Sequence, residues 1–146
     1  MARRTARILV VDDSRMDVEL TLSAFRDTGL PHIMHVAYNG QMALDFVSGR
    51  GPYADRNRFP LPDLVLLDLK MPGMDGHMVL RQFKALPVVR RVPVIILSSS
   101  LEESDRSASY DLGANGFIVK PTSYEGFIEA VRILDAYWFG LNVGPF

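Results

Sequence analysis

Short apolar, β-prone runs recur five times along this chain, each separated from the next by a segment of helical spacing. The runs are Ile8–Val11, Ile33–Ala37, Leu64–Leu67, Pro93–Leu97 and Gly116–Val119. Continuous apolar strands of this length are covered on both faces, which is the signature of a parallel sheet between helical layers. Only Ile33–Ala37 is less apolar, as expected of a strand near an edge. The intervening segments place Val18, Leu22 and Phe25, then Met42, Ala43, Phe46 and Val47, then Val79, Leu80, Phe83 and Leu86, and finally Phe127, Val131 and Leu134 on single helix faces. The helix over Leu101–Leu112 is polar and of surface type. Ser14 or Asp17, Asn39 and Ser123 are candidate N-caps, Asp75-Gly76 is a turn signal, and Gly29, Gly49 and Gly113 are stops. Strand and helix in alternation imply an α/β, doubly wound fold of five strands and five helices.

The length, 146 residues, suits a single domain with a proper core, here about residues 6–136. Two stretches depart from the rhythm. Arg50–Pro62, with Gly51, Pro52, Pro60 and Pro62 among charged residues, reads as a long surface insertion loop. Residues 137–146 form an apolar C-terminal extension. The chain has no cysteine, which excludes disulfides, thiol catalysis and thiolate metal sites. A net charge of -1 gives no electrostatic case for nucleic acid. Arg3, Arg4 and Arg7 read as a solvated end. No segment approaches the ~20 apolar residues of a membrane span, and the N-terminus lacks a signal peptide's apolar stretch. The simplest expectation is a cytoplasmic protein with no direct contact to nucleic acid or membrane.

The chemistry gathers at strand ends. Leu9-Val10-Val11 runs into Asp12-Asp13, Leu64–Leu67 into Asp68, Ile95-Ile96-Leu97 into Ser98, and Phe117-Ile118-Val119 into Lys120-Pro121. Ligands of open α/β sheets bind outside the carboxyl ends of the strands. Three carboxylates there would repel one another without a cation, and Mg²⁺ takes oxygen ligands, one or two carboxylates with phosphate oxygens and water. A carboxylate is also a covalent nucleophile towards phosphoryl groups, and Lys120 and Ser98 are suited to the oxygens of such a group. Each residue alone has an ordinary reading: helix capping for Asp12-Asp13, a turn for Asp68, a solvated Lys120, a serine cap at Ser99 or Ser100. His32, His35 and His77 show no metal-ligand spacing and are expected at the surface or in structural roles.

Taken together, Val10-Val11-Asp12-Asp13-Ser14, the stretch Asp68 to Gly76, Ser98 and Lys120-Pro121 resemble the receiver domain of bacterial two-component response regulators, across Ile8 to about Ala136. The resemblance implies a flavodoxin-like sheet in strand order 2-1-3-4-5. It implies that Asp68 accepts a phosphoryl group from a sensor histidine kinase. Asp12, Asp13, Asp68 and the backbone carbonyl of Lys70 would hold Mg²⁺, and Ser98 and Lys120 would contact the phosphoryl oxygens. Ser98 and Phe117 fall at the family's switch positions; Phe117 lacks the hydroxyl of a tyrosine there. Lys70 and Ser100 fall at the mouth of the site, where attacking water would enter. The chain ends soon after the fifth helix, so a stand-alone receiver is expected, one that catalyses only its own phosphorylation and dephosphorylation. The 50–62 insertion and the apolar extension resemble the small receivers paired with bacterial phytochrome kinases. That likeness implies a homodimer on the face of the fourth helix, fifth strand and fifth helix, with Trp138, Phe139 and Leu141 in the interface and Val143 and Phe146 near it; the alternative is that these side chains fold back on their own domain. A target protein or a histidine phosphotransfer protein would act downstream.

Two other functions share parts of the pattern. An aspartate-nucleophile phosphatase of the haloacid dehalogenase type usually has a second Asp two residues after the first, where this chain has Lys70. A pseudo-receiver, a binding module that is never phosphorylated, typically lacks one of the acidic residues or the Lys, and all are present here.

Overall fold

In the computed structural model, residues 5–29 and 31–145 are described, residue 141 by its backbone only. Five strands form one parallel sheet: β1 (Ala6–Val11), β2 (His32–Ala37), β3 (Leu64–Leu67), β4 (Val94–Ser98) and β5 (Gly116–Val119). Their order is β2-β1-β3-β4-β5. The helices are α1 (Arg15–Asp27), α2 (Gly40–Ser48), α3 (Gly76–Ala85), α4 (Glu103–Asp111) and α5 (Tyr124–Asp135).

The period-two alternation of strand side chains divides the core in two. Leu9, Val11, Val65, Leu67 and Ile96 face one way and pack with Ala43, Phe46, Val79, Leu80 and Phe83 of α2 and α3. Ile8, Val10, Leu64, Leu66, Ile95 and Leu97 face the other way, against Val18 and Phe25 of α1 and Phe127, Val131 and Leu134 of α5. The helix starts follow local chemistry. Ser14 Oγ accepts from the Asp17 amide at 3.2 Å, so Ser14 is the cap and the Asp17 side chain is left for another role. Asn39 and Ser123 cap α2 and α5 as expected, and Asp75 caps α3 through the Met78 amide.

Several boundaries differ from expectation. β1 and β2 begin earlier because Ala6 and Arg7 pair with His32 and Ile33. β4 runs over Val94–Ser98, since Ser98 still pairs with Val119. α4 is shorter than Leu101–Leu112: the Ser100 hydroxyl accepts the Glu102 amide in the preceding loop, and Leu101 projects into solvent. The 50–62 segment is more than a surface loop. Tyr53, Phe59 and Leu61 pack onto the α2–α3 side of the core, and Arg56 donates to the Phe46 and Val47 carbonyls at 2.7 and 3.3 Å, closing the C-terminus of α2 where Gly49 turns the chain at φ 65°.

The C-terminal extension continues α5 as a π-helical turn over Ala136–Leu141. Trp138 and Phe139 are partly buried against the α1–α5 core. Val143 is exposed, and the side chains of Leu141 and Phe146 lie outside the described residues. Of the two roles expected for His32 the structural one applies: its side chain is 3% exposed and its Nε2 lies 2.9 Å from Asp135 Oδ1, at the end of α5.

Candidate functional site

The sheet changes direction between β1 and β3, where the chain goes from β1 out to β2 and then to β3 on β1's other side. That switch point opens a crevice at the carboxyl ends of the strands. Register places the candidate residues there together. Val11 pairs with Leu67, so Asp12 and Asp68 leave adjacent strands at the same level. The ladder continues one residue further: the Asp12 amide donates to Ala37 O at 3.1 Å, the Asp68 amide to Val11 O at 2.9 Å, and the Lys120 amide to Ser98 O at 2.8 Å. The site backbones are therefore extensions of the sheet.

Asp12, Asp13 and Asp68 each offer a carboxylate oxygen, all within 4.8 Å of one another. Asp12 and Asp68 are buried, at 4% and 6% exposure, and Asp13 is exposed. Lys120 reaches into this cluster from the end of β5. Its Nζ lies 2.9 Å from Asp12 Oδ2, 2.8 Å from Asp17 Oδ2 and 3.6 Å from Asp68 Oδ1. One ammonium thus faces three carboxylates. Burial, then the Asp12 charge, push the Asp68 carboxyl up to about 6, against the pull of Lys120. Asp12 is also raised, by burial opposed by its hydrogen bonds from Lys120 and the Ser14 amide. Burial alone would lower Lys120, and its hydrogen bonds to Asp17 and Asp12 outweigh that, holding it above the ordinary lysine range. Oxygen-only donors carrying excess negative charge, one of them on the solvent side, fit a hard divalent cation.

Ser98 is fully buried, and its Oγ accepts the Ser100 amide at 3.2 Å. Phe117 is partly buried beside the α2–α3 side of the core. Gly76 at the start of α3 lies so close under this loop that a Cβ there would meet the Asp68 carbonyl and would sit 2.7 Å from Leu69 Cα. Two residues past Asp68 and Ser98, Lys70 Nζ lies 3.1 Å from Asp105 Oδ2, and Ser100 Oγ donates to the same oxygen at 2.6 Å. The Ser100 hydrogen bond and Lys70 hold Asp105 below the usual carboxylate range, and Asp105 raises Lys70.

The structure therefore brings Asp12, Asp13, Asp68, Ser98 and Lys120 to one sheet edge, with Lys70 and Ser100 beside them. Trp138 and Phe139 lie elsewhere, against the α1–α5 core. Two charged residues of the site escaped the sequence reading: Asp17, which binds Lys120, and Asp105, which binds Lys70 and Ser100. By its place after Ser14, Asp17 is a cap candidate only. Neither stands at a strand end, and each meets its partner only through the fold.

Comparison with known proteins gives the same picture. Residues 8–132 match the response regulator receiver domain family. Response regulator Rcp1 of Synechocystis sp. is 32% identical over 131 residues, covering 90% of this chain and 87% of Rcp1. The crystal structure of its Mn²⁺-bound form superposes with a TM-score of 0.85 at 30% identity, over 97% of this chain and 99% of that one. The phosphorylated cyanobacterial phytochrome response regulator RcpA superposes at 0.90 with 31% identity, over 98% and 100% of the two chains. Response regulator RPA3017, from red light signalling in R. palustris, does so at 0.91 with 32% identity, over 97% and 99%.

Proposed function

The chain belongs to the response regulator receiver domain family, and from that premise we propose that Asp68 is its phosphoryl acceptor and Mg²⁺ its metal. A receiver of this kind is a signalling element rather than an enzyme turning over an external substrate. The observation that carries the assignment is the placing of Asp68: a buried carboxylate at the switch point, with two more carboxylates within 4.8 Å and the Lys120 ammonium 3.6 Å away.

In the proposed step, an Asp68 carboxylate oxygen attacks the phosphorus of a kinase phosphohistidine. The P–N bond breaks and the histidine nitrogen takes a proton. Asp12, Asp13, Asp68 and the Lys70 carbonyl would hold the metal, which supplies charge neutralisation at the phosphoryl oxygens. Lys120, already held beside Asp68 by Asp12 and Asp17, pairs with a phosphoryl oxygen. Ser98 exchanges the Ser100 amide for another phosphoryl oxygen, and Phe117 on the neighbouring strand repacks. That movement is the switch, a local charge change biasing a two-state element. Lys70 and Ser100 tune the lifetime of the phosphorylated form. In hydrolysis a water oxygen attacks phosphorus opposite the Asp68 oxygen, the carboxylate leaves, and the water's protons pass to phosphate and solvent.

The phytochrome response regulator RcpA and RPA3017 of red light signalling support a sensor histidine kinase of the bacteriophytochrome type as the phosphoryl donor. The downstream partner is a target protein or a histidine phosphotransfer protein. The protein works in the cytoplasm, consistent with the absence, among the described residues, of any helix long and apolar enough to cross a membrane. A homodimer on the face of α4, β5 and α5 is supported by exposed Tyr110 and Val119. Light scattering tests it: Tyr110→Glu should halve the mass, and a parent of monomer mass removes the idea.

Incubation with acetyl phosphate and Mg²⁺, followed by intact mass spectrometry, tests the central assignment. One added phosphoryl group is expected on the parent and none on Asp68→Asn. Equal labelling of the two would move the acceptor elsewhere.

A further inference from the structure

We propose that Asp105, in the first turn of α4, is a positioning residue that holds the Lys70 ammonium across the mouth of the site and so prolongs the aspartyl phosphate. The inference rests on the reading that Asp68 accepts a phosphoryl group.

The geometry begins with two adjacent strands. β3 and β4 pair in register, Leu67 opposite Ile96, and end in Asp68 and Ser98. Two residues beyond each end stand Lys70 and Ser100. Both reach one carboxylate oxygen of Asp105, Lys70 Nζ at 3.1 Å and Ser100 Oγ at 2.6 Å. The three side chains therefore bridge the two loops on the solvent side of the strand ends. Water attacking in line, opposite the Asp68 oxygen, must come from that side.

Asp105 is a fixed post and Lys70 is not. The Asp105 carbonyl accepts from Ser109 Oγ at 2.7 Å, and His77 Nε2 of α3 lies 3.2 Å from that carbonyl and 2.9 Å from Ser109 Oγ. Ser109 is fully buried. The Lys70 side chain is 68% exposed, and Asp105 is the ion-pair partner that holds it. A long exposed lysine without such a partner spreads over many rotamers, and the ammonium then leaves the mouth open most of the time.

An exposed ion pair changes a population only modestly, so Asp105→Asn should shed phosphate about threefold faster than the parent. The experiment phosphorylates the full chain with acetyl phosphate and Mg²⁺, removes the donor by desalting, and follows the loss by intact mass spectrometry. Three results are expected. Asp105→Glu restores a rate near the parent's. The double variant Lys70→Ala/Asp105→Asn loses phosphate no faster than Lys70→Ala. Added salt speeds the parent, because it screens the pair, and leaves Asp105→Asn unchanged. A parental rate in Asp105→Asn overturns the proposal, and so does an equal acceleration on the Lys70→Ala background. Should Asp105→Asn fail to fold, the parent decides alone: a salt-independent rate refutes the latch. A parent that takes up no phosphoryl group refutes the proposed function itself, a different failure seen before any rate is compared.

Discussion

Replacing Asp68 by Asn should make the metal-free protein more stable, although it removes the proposed acceptor. Asp68 is buried beside Asp12, with Asp13 close by, and only Lys120 offsets them. Its carboxyl lies at about 6 in the folded chain against an ordinary 3.8. The native state therefore binds this proton more tightly than the unfolded chain does. The stability carried by the protonated form is fully present below 3.8 and is lost as pH rises through about 6. A difference of about 2 units corresponds to roughly 3 kcal/mol above pH 6, an upper bound because the acidic groups titrate together. Asn keeps the shape and an acceptor oxygen and carries no charge, so Asp68→Asn should gain about 1–3 kcal/mol at pH 7.5. Lys120 still has Asp12 and Asp17 as partners. Urea unfolding followed by circular dichroism, in chelator, reads this as a midpoint about 1 M higher. The advantage should shrink towards pH 4.5 and should also shrink at pH 7.5 when Mg²⁺ is added, since the cation stabilises only the parent's full set of carboxylates. An Asn variant no more stable than the parent at pH 7.5, or a gain independent of pH, would refute the reasoning.

Lys120→Met leaves Asp12, Asp17 and Asp68 without their shared cation, so it should cost about 3 kcal/mol in chelator, with part recovered on adding Mg²⁺ in the same urea assay. Gly76→Ala forces a Cβ against the Asp68 carbonyl and Leu69 Cα; a loss of about 2 kcal/mol is expected, with weaker Mg²⁺ binding by calorimetry. His35 is held below its ordinary 6.5 by burial, opposed by its hydrogen bond to the Arg58 backbone. Its contribution to stability is therefore complete above pH 6.5 and declines as pH falls below it, and thermal melts of His35→Gln between pH 7 and 5 should show a shallower decline than the parent's.

Much of the site was legible before the fold was known because its members stand where an apolar run stops. Asp12, Asp68, Ser98 and Lys120 each follow a strand by at most one residue or close it, and a parallel sheet gathers such ends at one edge. The caps at Asn39 and Ser123 were legible for a similar reason: side-chain-to-backbone capping is decided within four residues. α4 starts later than the spacing implies because the Ser100 hydroxyl claims the Glu102 amide and delays the helix. Prolines and charges dominate the composition of the 50–62 segment and imply a surface loop. Tyr53 and Phe59 are buried in part only because Phe46 and His35 lie beneath them.

The order of short apolar runs and helical segments by itself determined the α/β architecture, the two faces of the core and the strand-end positions of the reactive groups. These follow from local periodicity and from the need to bury both faces of a parallel sheet. Which charges meet was decided only by the tertiary structure. Asp17 of α1 binds Lys120 and Asp105 of α4 binds Lys70, and Trp138 and Phe139 lie on the α1–α5 core. Such contacts depend on how helices seat on the sheet, and no residue spacing along the chain encodes that distance.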